Sequence, residues 1–346
     1  MSWRIVPVTM LDPDPSAAGL ARTWHQVFID SAVAAMGDDH DVWSMDSRRA
    51  HEQYTSWSHR YFGALDGNGE LVAAGELVLS LRDNPQLAFV DVAVHPDRRR
   101  EGGGTALLDH LEREARRQDR DTLHAETTVP AGGTDGGDAF LRRHGFALGQ
   151  TMQRNDLDLG VDAAEATSEG DPGRVIHPTA DETPGYVIET SCDDTLGAWL
   201  DDRAVLQQRM STDSPVGDLD LREEAWDAER LREQRLSTRR SNRRAIESVA
   251  RHVESGRLVA FTQLQIPTAD PVLAYQQDTL VLREHRGHGL GAAVKAANMR
   301  ALRAEFPQTR TVRTWNAEEN GPMIRVNEAL GYRTTALQRE WQRRLA

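Results

Sequence analysis

Arg99-Arg100-Glu101-Gly102-Gly103-Gly104 and Arg286-Gly287-His288-Gly289-Leu290-Gly291 are two copies of one pattern, R-x-x-G-x-G, whose arginines lie 187 positions apart in a chain of 346 residues. Each copy follows an apolar stretch typical of a strand, and each opens an amphipathic pattern typical of a helix. Gly145-Phe146 begins 41 residues after the first copy's last glycine, and Gly331-Tyr332 begins 40 residues after the second's. Two matches with the same downstream partner predict a duplicated domain.

The chemistry of the loop points to a phosphate ligand. Glycine lets backbone N–H groups approach a ligand closely, and the helix that follows presents unpaired N–H groups and the positive end of its dipole. Arg99 or Arg286 can add a charge-assisted hydrogen bond to a phosphate oxygen. We therefore expect an anionic ligand, and a pyrophosphate fits this arrangement best.

Two other classes of phosphate loop fit less well. A Walker-type loop needs Gly-Lys-Ser/Thr, which neither copy contains. Gly287–Ala292 fits the dinucleotide pattern G-x-G-x-x-A, but Arg283–Arg286 separate it from its strand. No clean strand with a terminal acidic residue lies about 20 residues further on, where a ribose-binding carboxylate would be expected.

Both copies resemble the acyl-coenzyme A loop of the GNAT N-acetyltransferases. Val94–Leu108 is similar to that superfamily's core motif almost throughout, and Asn320–Met323 with Asn327–Tyr332 is similar to its last helix and turn. The plan resembles tandem two-domain acetyltransferases such as mycothiol synthase. The resemblance implies an α/β (α+β) fold of two tandem domains, each with a mixed, mostly antiparallel sheet of about six or seven strands flanked by helices.

The resemblance also implies acetyl-CoA as the cosubstrate, with its pyrophosphate on the glycine loop and its acyl carbonyl on backbone N–H groups of the preceding strand. The cofactor-binding residues expected on this basis are Val281, Leu282, Arg286, Gly287, His288, Gly289, Leu290, Gly291, Asn316, Asn320, Val94, Arg99, Gly102 and Gly104. Asn320 stands where the family often places an asparagine against the pantetheine arm, whereas the first copy has Thr134. We therefore expect the second copy to hold the productive acyl site, and the first to bind coenzyme A without catalysis or to serve as a scaffold.

The catalytic residues expected from the same comparison are Asp278 and Asn327, with Asp91 as the weaker counterpart of Asp278. Asp91 and Asp278 each lie eight residues before the arginine of their loop. An aspartate in an apolar strand can act as a general base when desolvation raises its pKa, and it can equally be a structural hydrogen-bond partner; Asp278 is the stronger candidate. Most family members have a tyrosine four residues before the final glycine, as the acid toward the thiolate. Here those positions hold Leu141 and Asn327, of which Asn327 can still donate a hydrogen bond.

Composition restricts the partners. The net charge of −13 argues against nucleic acid, since binding to phosphates favours a basic surface. With no run of 18 apolar residues and no signal-peptide pattern, we expect no membrane span and a cytoplasmic location. Cys192 is the single cysteine, so no internal disulfide is possible. The histidines lack metal-ligand spacing, so we expect no metal and expect His285 and His288 to meet phosphate or solvent.

Composition also divides the chain. Residues 161–182 are rich in Asp, Glu, Gly, Pro and Thr without periodicity, which predicts a linker between an N-terminal domain, 1–160, and a C-terminal, catalytic domain, 183–346. We expect Met152–Leu159 and Thr335–Trp341 to be the final strands of the first and second domains. Residues 211–235 form an extra charged segment, either a substrate lid or a solvated helix.

Other polar residues of the second half have weaker assignments. Glu189, Asp193 and Asp194 can meet a substrate amine, and Lys295 can either reach the coenzyme A phosphates or lie on the surface.

These observations predict an acyl-CoA-dependent N-acetyltransferase that moves acetyl from acetyl-CoA to the amine of a small metabolite or antibiotic, by direct attack in a ternary complex. A non-catalytic acyl-CoA-binding sensor or scaffold is the alternative, because neither copy has the tyrosine. A protein-lysine acetyltransferase is a third hypothesis, weakened by the lack of a peptide-docking segment. The expected partner is a small-molecule amine, with no nucleic acid and no membrane, and a homodimer is left open.

Overall fold

The computed structural model describes residues 3–133, 136–160, 183–192 and 197–345. The predicted linker, 161–182, lies outside these residues, as do Thr134, Asp193 and Asp194. The chain divides into two compact units. Unit 1 consists of Met1–Thr151, Val216–Leu221 and Ala336–Ala346, and unit 2 consists of Met152–Pro215 and Arg222–Thr335.

Twelve strands and eight α-helices are formed by the described residues. The strands are β1 (Arg4–Val8), β2 (Trp57–Leu65), β3 (Leu71–Ser80), β4 (Leu87–Val94), β5 (Thr122–Pro130), β6 (Ala147–Asp158), β7 (Tyr186–Cys192), β8 (Arg243–His252), β9 (Leu258–Pro267), β10 (Leu273–Val281), β11 (Thr311–Ala317) and β12 (Arg333–Arg344). The helices are α1 (Pro15–Met36), α2 (Met45–Glu52), α3 (Gly103–Arg117), α4 (Gly136–Arg143), α5 (Leu200–Asp213), α6 (Ala228–Arg240), α7 (Leu290–Glu305) and α8 (Gly321–Ala329).

The sheet of unit 1 has the strand order β1-β2-β3-β4-β5-β12. All its neighbouring strands are antiparallel except β4 and β5, which pair in parallel from Leu87↔Thr122 to Phe89↔His124 and not beyond. The amphipathic helix α3 packs its leucines, including Leu107 and Leu111, on one face of the sheet, while Trp24 of α1 lies in a second core cluster with Tyr61.

The sheet of unit 2 has the order β6-β11-β10-β9-β8-β7 and repeats this plan. Its parallel pair is β10 and β11, joined from Leu273↔Thr311 to Tyr275↔Arg313, and the other pairs are antiparallel. In both units the two parallel strands therefore cease pairing after three residues, on the side of the sheet where the glycine loop follows. The predicted mixed, mostly antiparallel sheets flanked by helices are confirmed.

The two final strands differ from the expectation. Met152–Asp158 of β6 pairs with β11 in unit 2, and Ala336–Arg344 of β12 pairs with β5 in unit 1. Each unit is thus completed by the strand that the sequence order assigns to the other. The indole of Trp341 is buried in the unit 1 core and donates to Thr127 Oγ1 (2.9 Å), while the Arg313 guanidinium bonds the Asp156 carboxylate (2.9 Å) in unit 2.

Two further elements extend or correct the prediction. The strand β7 is absent from the sequence prediction, because its half-buried residues do not alternate in polarity. The charged segment 211–235 contains residues of both units: Val216–Leu221 belongs to unit 1, and the start of α6 belongs to unit 2. Among the described residues, no helix combines the length and the hydropathy needed to cross a lipid bilayer.

Candidate active site

The two glycine loops have the same backbone conformation. Arg100 and Gly287, at the second position of the pattern, have φ of 70° and 85°. Gly102 and Gly289, at the fourth position, have φ of 95° and 72° and begin α3 and α7. This left-handed conformation costs a non-glycine residue about 1–2 kcal/mol, so its retention at both positions supports a common fold of the loop.

The arginine of each pattern fastens its loop to the end of the preceding strand. Arg286 Nε donates to the Val281 carbonyl (3.0 Å), and Arg99 Nε donates to the Val94 carbonyl (3.4 Å). The second guanidinium also meets the Asp213 carboxylate (2.8 Å), at the end of α5. Both arginines are exposed, so each holds the loop in shape while remaining open to a ligand.

Access to the two loops differs. A Cβ atom at Gly102 would lie 3.5 Å from the indole nitrogen of Trp3, and one at Gly103 would lie 3.3 Å from the same ring. For Gly287 and Gly289, no atom of the described residues comes within 4 Å of a Cβ at either position. Trp3 therefore covers one side of the first loop, whereas the second is open.

The charged groups of the two loops also differ. In the first loop Arg98 is bonded to the Asp66 carboxylate (2.9 Å) and to Glu101 (3.1 Å), so the loop neutralises much of its own positive charge. The second loop has His285 and His288 at the corresponding positions. The His288 imidazole thus replaces the Glu101 carboxylate within the second loop, which favours that loop as a phosphate site, although Arg286 there is paired with Asp213.

The imidazoles of the second loop belong to an aromatic cluster. Tyr186 Oη lies 3.0 Å from His285 Nδ1, and its ring lies 5.5 Å from that of His288. The ring of His252, at the end of β8, lies 4.9 Å from that of His285. Tyr186 and His252 were not predicted as site residues, because they come from strands that are remote from the loop in sequence.

The strand before the second loop contains a β-bulge. The pairing of β10 with β9 shifts register between Gln276 and Thr279, whereas β4 pairs with β3 without interruption. The buried amide of Gln276 donates to the carbonyls of Gln263 (2.7 Å) and Gln277 (3.0 Å), and thereby satisfies backbone groups near the bulge. Phe89 occupies the equivalent position of β4 and cannot donate. A bulge changes the direction in which the neighbouring side chains point.

The backbone N–H groups of Val281 and Leu282, the two predicted carbonyl-binding residues at the end of β10, point in opposite directions. The Leu282 N–H donates to the Val259 carbonyl (2.9 Å) and is used within the sheet. Because successive N–H groups of a strand point to opposite sides, that of Val281 faces the β11 side, where pairing ended at Tyr275. Val281 thus fits the predicted role and Leu282 does not. In unit 1 the same alternation turns the Val94 N–H toward the β5 side.

The two candidate bases lie in different surroundings. The Asp278 carboxylate is half-buried beside the bulge and accepts a hydrogen bond from Gln207 Nε2 (2.7 Å). Asp91 is reached by solvent, yet desolvation by the surrounding protein and the negative charge of Glu76, its cross-strand neighbour, raise its pKa to about 6. Asp91 therefore meets the expectation of a raised pKa, whereas Asp278 is the aspartate that a neighbouring side chain holds in place.

Two of the three predicted asparagines of unit 2, Asn316 and Asn327, are buried. Asn327 is buried, its Nδ2 donates to Asn316 Oδ1 (2.6 Å), and its Oδ1 accepts from Lys295 Nζ (2.7 Å). Asn320 caps α8 by accepting from the Met323 N–H (3.4 Å). The oxygen of the Asn327 amide and one of its two N–H donors are thus used inside the unit. Lys295 is 2% exposed, so both expectations for it, a phosphate contact and a surface position, were wrong.

Two acidic groups are likewise engaged in structure. Glu189 accepts from Trp199 Nε1 (2.8 Å) and pairs with Arg251 (2.5 Å).

Within the described residues, His51, His59 and Glu76 are grouped closely enough to hold a metal ion. The two oxygens of Glu76 already bond His59 Nδ1 (2.7 Å) and the buried Arg48 guanidinium (2.6 Å), so a cation there would compete with Arg48.

Comparisons with known proteins support the fold, and the match to a family model lies within unit 1. Residues 26–146 match the Acetyltransferase (GNAT) family. No curated protein matches the sequence of the chain. A solved tandem GNAT protein from the clavulanic acid biosynthesis pathway is 28% identical and has a TM-score of 0.80, with coverage of 99% of this chain and 98% of that one.

Two more distant structures share the fold. A GCN5-related N-acetyltransferase from Sphaerobacter thermophilus has 15% identity and a TM-score of 0.67 over 99% of this chain and 95% of its own. A putative acetyltransferase from Pyrococcus horikoshii has 11% identity and a TM-score of 0.57 over 99% and 90%. With the duplicated loop and sheet plan, these matches show a GNAT acetyltransferase domain over residues 26–146 and a chain that is similar over nearly its whole length to a solved tandem GNAT protein.

Proposed function

We propose that the protein transfers the acetyl group of acetyl-CoA to the amine of a small molecule, and that unit 2 carries the reaction. One observation carries the assignment to unit 2. Its loop has the duplicated left-handed backbone, is open at Gly287 and Gly289, and follows a bulged strand that displays Asp278. The loop of unit 1 lies against Trp3 and has no bulge before it.

The residues of unit 2 fit a pyrophosphate-bearing thioester. Backbone N–H groups at the start of α7 supply donors, and the helix dipole adds positive potential there. Arg286 holds the loop and lends charge, with His288 beside it. The Val281 N–H, on the unpaired side of β10, is the donor for an acyl carbonyl, which becomes more negative as the amine attacks.

Asp278 is the proposed base. An attacking amine must first lose a proton, and a carboxylate beside the bulge can accept it directly or through water. We do not assign Asn327 as the acid in this proposal, because it is buried, its Nδ2 donates to Asn316 and its Oδ1 accepts from Lys295. Coenzyme A then leaves as a thiolate, since thiols ionise near neutral pH far more readily than alcohols.

The acceptor is proposed to be a small amine. The similar protein of clavulanic acid biosynthesis belongs to a small-molecule pathway, and the acidic net charge suits a cationic acceptor. We place the reaction in the cytoplasm, because a chain with one cysteine has no disulfide to gain in an oxidising compartment.

The test is thiol release from acetyl-CoA by the purified full-length chain with a panel of small mono- and diamines, amino sugars and amino acids. The matched variants are Asp278→Asn and Asp91→Asn. We expect turnover with one acceptor class, lost at least a hundredfold in Asp278→Asn and retained in Asp91→Asn.

Three outcomes would contradict the proposal. Tight coenzyme A binding without turnover across the panel would indicate a sensor instead of an enzyme. Loss of turnover in Asp91→Asn alone would move the reaction to unit 1. Acetylation of proteins but of none of the small amines would show that the acceptor class is wrong.

A further inference from the structure

A buried chain of hydrogen bonds leads across unit 2 to Asp278. Arg235 on α6 and Arg203 on α5 both bond the Glu247 carboxylate of β8, at 2.5 and 2.6 Å. Arg203 Nη2 then donates to Gln207 Oε1 (3.3 Å), and Gln207 Nε2 donates to Asp278 (2.7 Å). Arg203, Glu247, Arg235 and Gln207 are all at least nine-tenths buried, so the chain is shielded from solvent.

The groups at the two ends of this chain, a guanidinium and a carboxylate, determine which atom donates in each hydrogen bond. A guanidinium only donates, so Gln207 must present its oxygen to Arg203 and its NH₂ group to Asp278. The amide therefore has one orientation, and the carboxylate next to it faces a donor. Without Gln207, Asp278 would lose this contact and be free to change rotamer beside the bulge.

Charge in the chain adds to the same effect. Arg203 and Arg235 place two guanidinium groups on the single carboxylate of Glu247. Gln207 links this group to the Asp278 carboxylate. On the far side of the splayed strands, Arg313 of β11 is paired with Asp156 and contributes little net charge.

We propose that Gln207 is a positioning residue for the reaction: it holds the ionised Asp278 carboxylate in the orientation needed to accept the proton of the acceptor amine. This inference rests on the proposed function of unit 2. Unit 1 has no counterpart of this arrangement among the contacts of Asp91, which accepts a hydrogen bond from the Val92 backbone.

The test replaces Gln207 with residues of similar size that lack its donor. Gln207→Met removes both hydrogen bonds, and Gln207→Glu keeps an acceptor toward Arg203 while placing a like charge against Asp278. The matched control is Gln208→Met, since Gln208 lies next in the helix but bonds Glu223 (2.8 Å). Rates are measured against pH with the amine found in the panel, and melting temperatures report folding.

A second readout needs no acceptor. The protein is labelled with ¹³Cγ-aspartate, the Asp278 signal is assigned by its loss in Asp278→Asn, and its chemical shift is followed from pH 3 to 8. Loss of a donor to the carboxylate disfavours the ionised form. We expect the midpoint in Gln207→Met to rise by about one pH unit and that in Gln207→Glu to rise further.

For turnover we expect kcat to fall about tenfold in Gln207→Met, with KM for acetyl-CoA within twofold of wild type and the acid limb of the profile moved to higher pH. Gln208→Met should match wild type in every measurement. Unchanged acid limbs and unchanged midpoints in both Gln207 variants would overturn the inference while leaving the transferase function in place. A chain that acetylates no amine would overturn the function, and the NMR midpoints would still decide the role of Gln207.

Discussion

Lys295 Nζ lies 2.7 Å from Asn327 Oδ1 inside unit 2, with the ring centre of Tyr332 5.6 Å away. The lysine, on α7, is the single lysine of the chain, and Leu108 is its counterpart on α3. Burial lowers the pKa of the Lys295 ammonium to about 7. An amine that the sequence pattern offers to a phosphate is therefore part of the hydrogen-bonded interior, together with Asn316.

This burial makes the stability of unit 2 depend on pH. The lysine is protonated in the unfolded chain up to about pH 10.4 but loses its proton in the folded unit above about pH 7, so the free energy of unfolding rises with pH across that interval. Lys295→Met has no proton to lose. We expect its melting temperature at pH 7 to exceed that of wild type by about 3 °C or more, and the difference to shrink toward pH 10.

Leu108→Met, at the matching position of unit 1, is the control, and its difference from wild type should not vary with pH. A Lys295→Met protein whose advantage grew with pH would show that the lysine is charged in the folded unit.

The glycine loops should respond unequally to a glutamate. In Gly289→Glu the new side chain enters open space at φ 72°, so folding should survive a local strain of about 1–2 kcal/mol, while the carboxylate repels the phosphates. We expect coenzyme A affinity, measured by calorimetry, to fall more than tenfold and activity to be lost. Gly102→Glu should keep most of both. If Gly102→Glu were the inactive variant and Gly289→Glu stayed active, unit 1 would be the catalytic unit.

The bulge before the second loop should depend on Gln276. Replacing it with phenylalanine, the residue of unit 1, removes the donor to the Gln263 and Gln277 carbonyls and leaves them unsatisfied. We expect Gln276→Phe to lower kcat at least tenfold and to destabilise the protein by about 1–3 kcal/mol in chemical denaturation. The reciprocal Phe89→Gln should leave kcat near wild type. Equal kcat in Gln276→Phe and wild type would show that catalysis does not depend on the Gln276 contacts at the bulge.

The final strands offer a test of which unit each one completes. Trp341→Ala deletes an indole from the unit 1 core and should cost about 3–5 kcal/mol. Hydrogen exchange should then accelerate in β5 and α3 of unit 1, although the residue lies near the C-terminus. Leu157→Ala, on β6, should instead accelerate exchange in β11 and α7 of unit 2. The opposite pattern would mean that each strand closes the sheet nearest to it in sequence.

The sequence by itself determined the repeated unit. The glycines at both loops, the apolar strand before each and the amphipathic helix after each are local features, because turn conformation and the 3.6-residue period depend on neighbours in the chain. The strand before the first loop, β4, was predicted correctly for this reason, and so was the duplication. The family resemblance then followed from motifs that are contiguous in sequence.

Only the tertiary structure decided what lies beside those motifs. Alternation along β6 and β12 specifies which face is buried but not which partner strand is chosen, so Trp341 and Leu157 completed opposite units. Gln207 came to lie against Asp278, and Lys295 against Asn327, through packing between elements that are far apart in the chain. Whether a polar residue meets ligand, solvent or another buried side chain depends on such distant contacts, which the local sequence pattern does not specify.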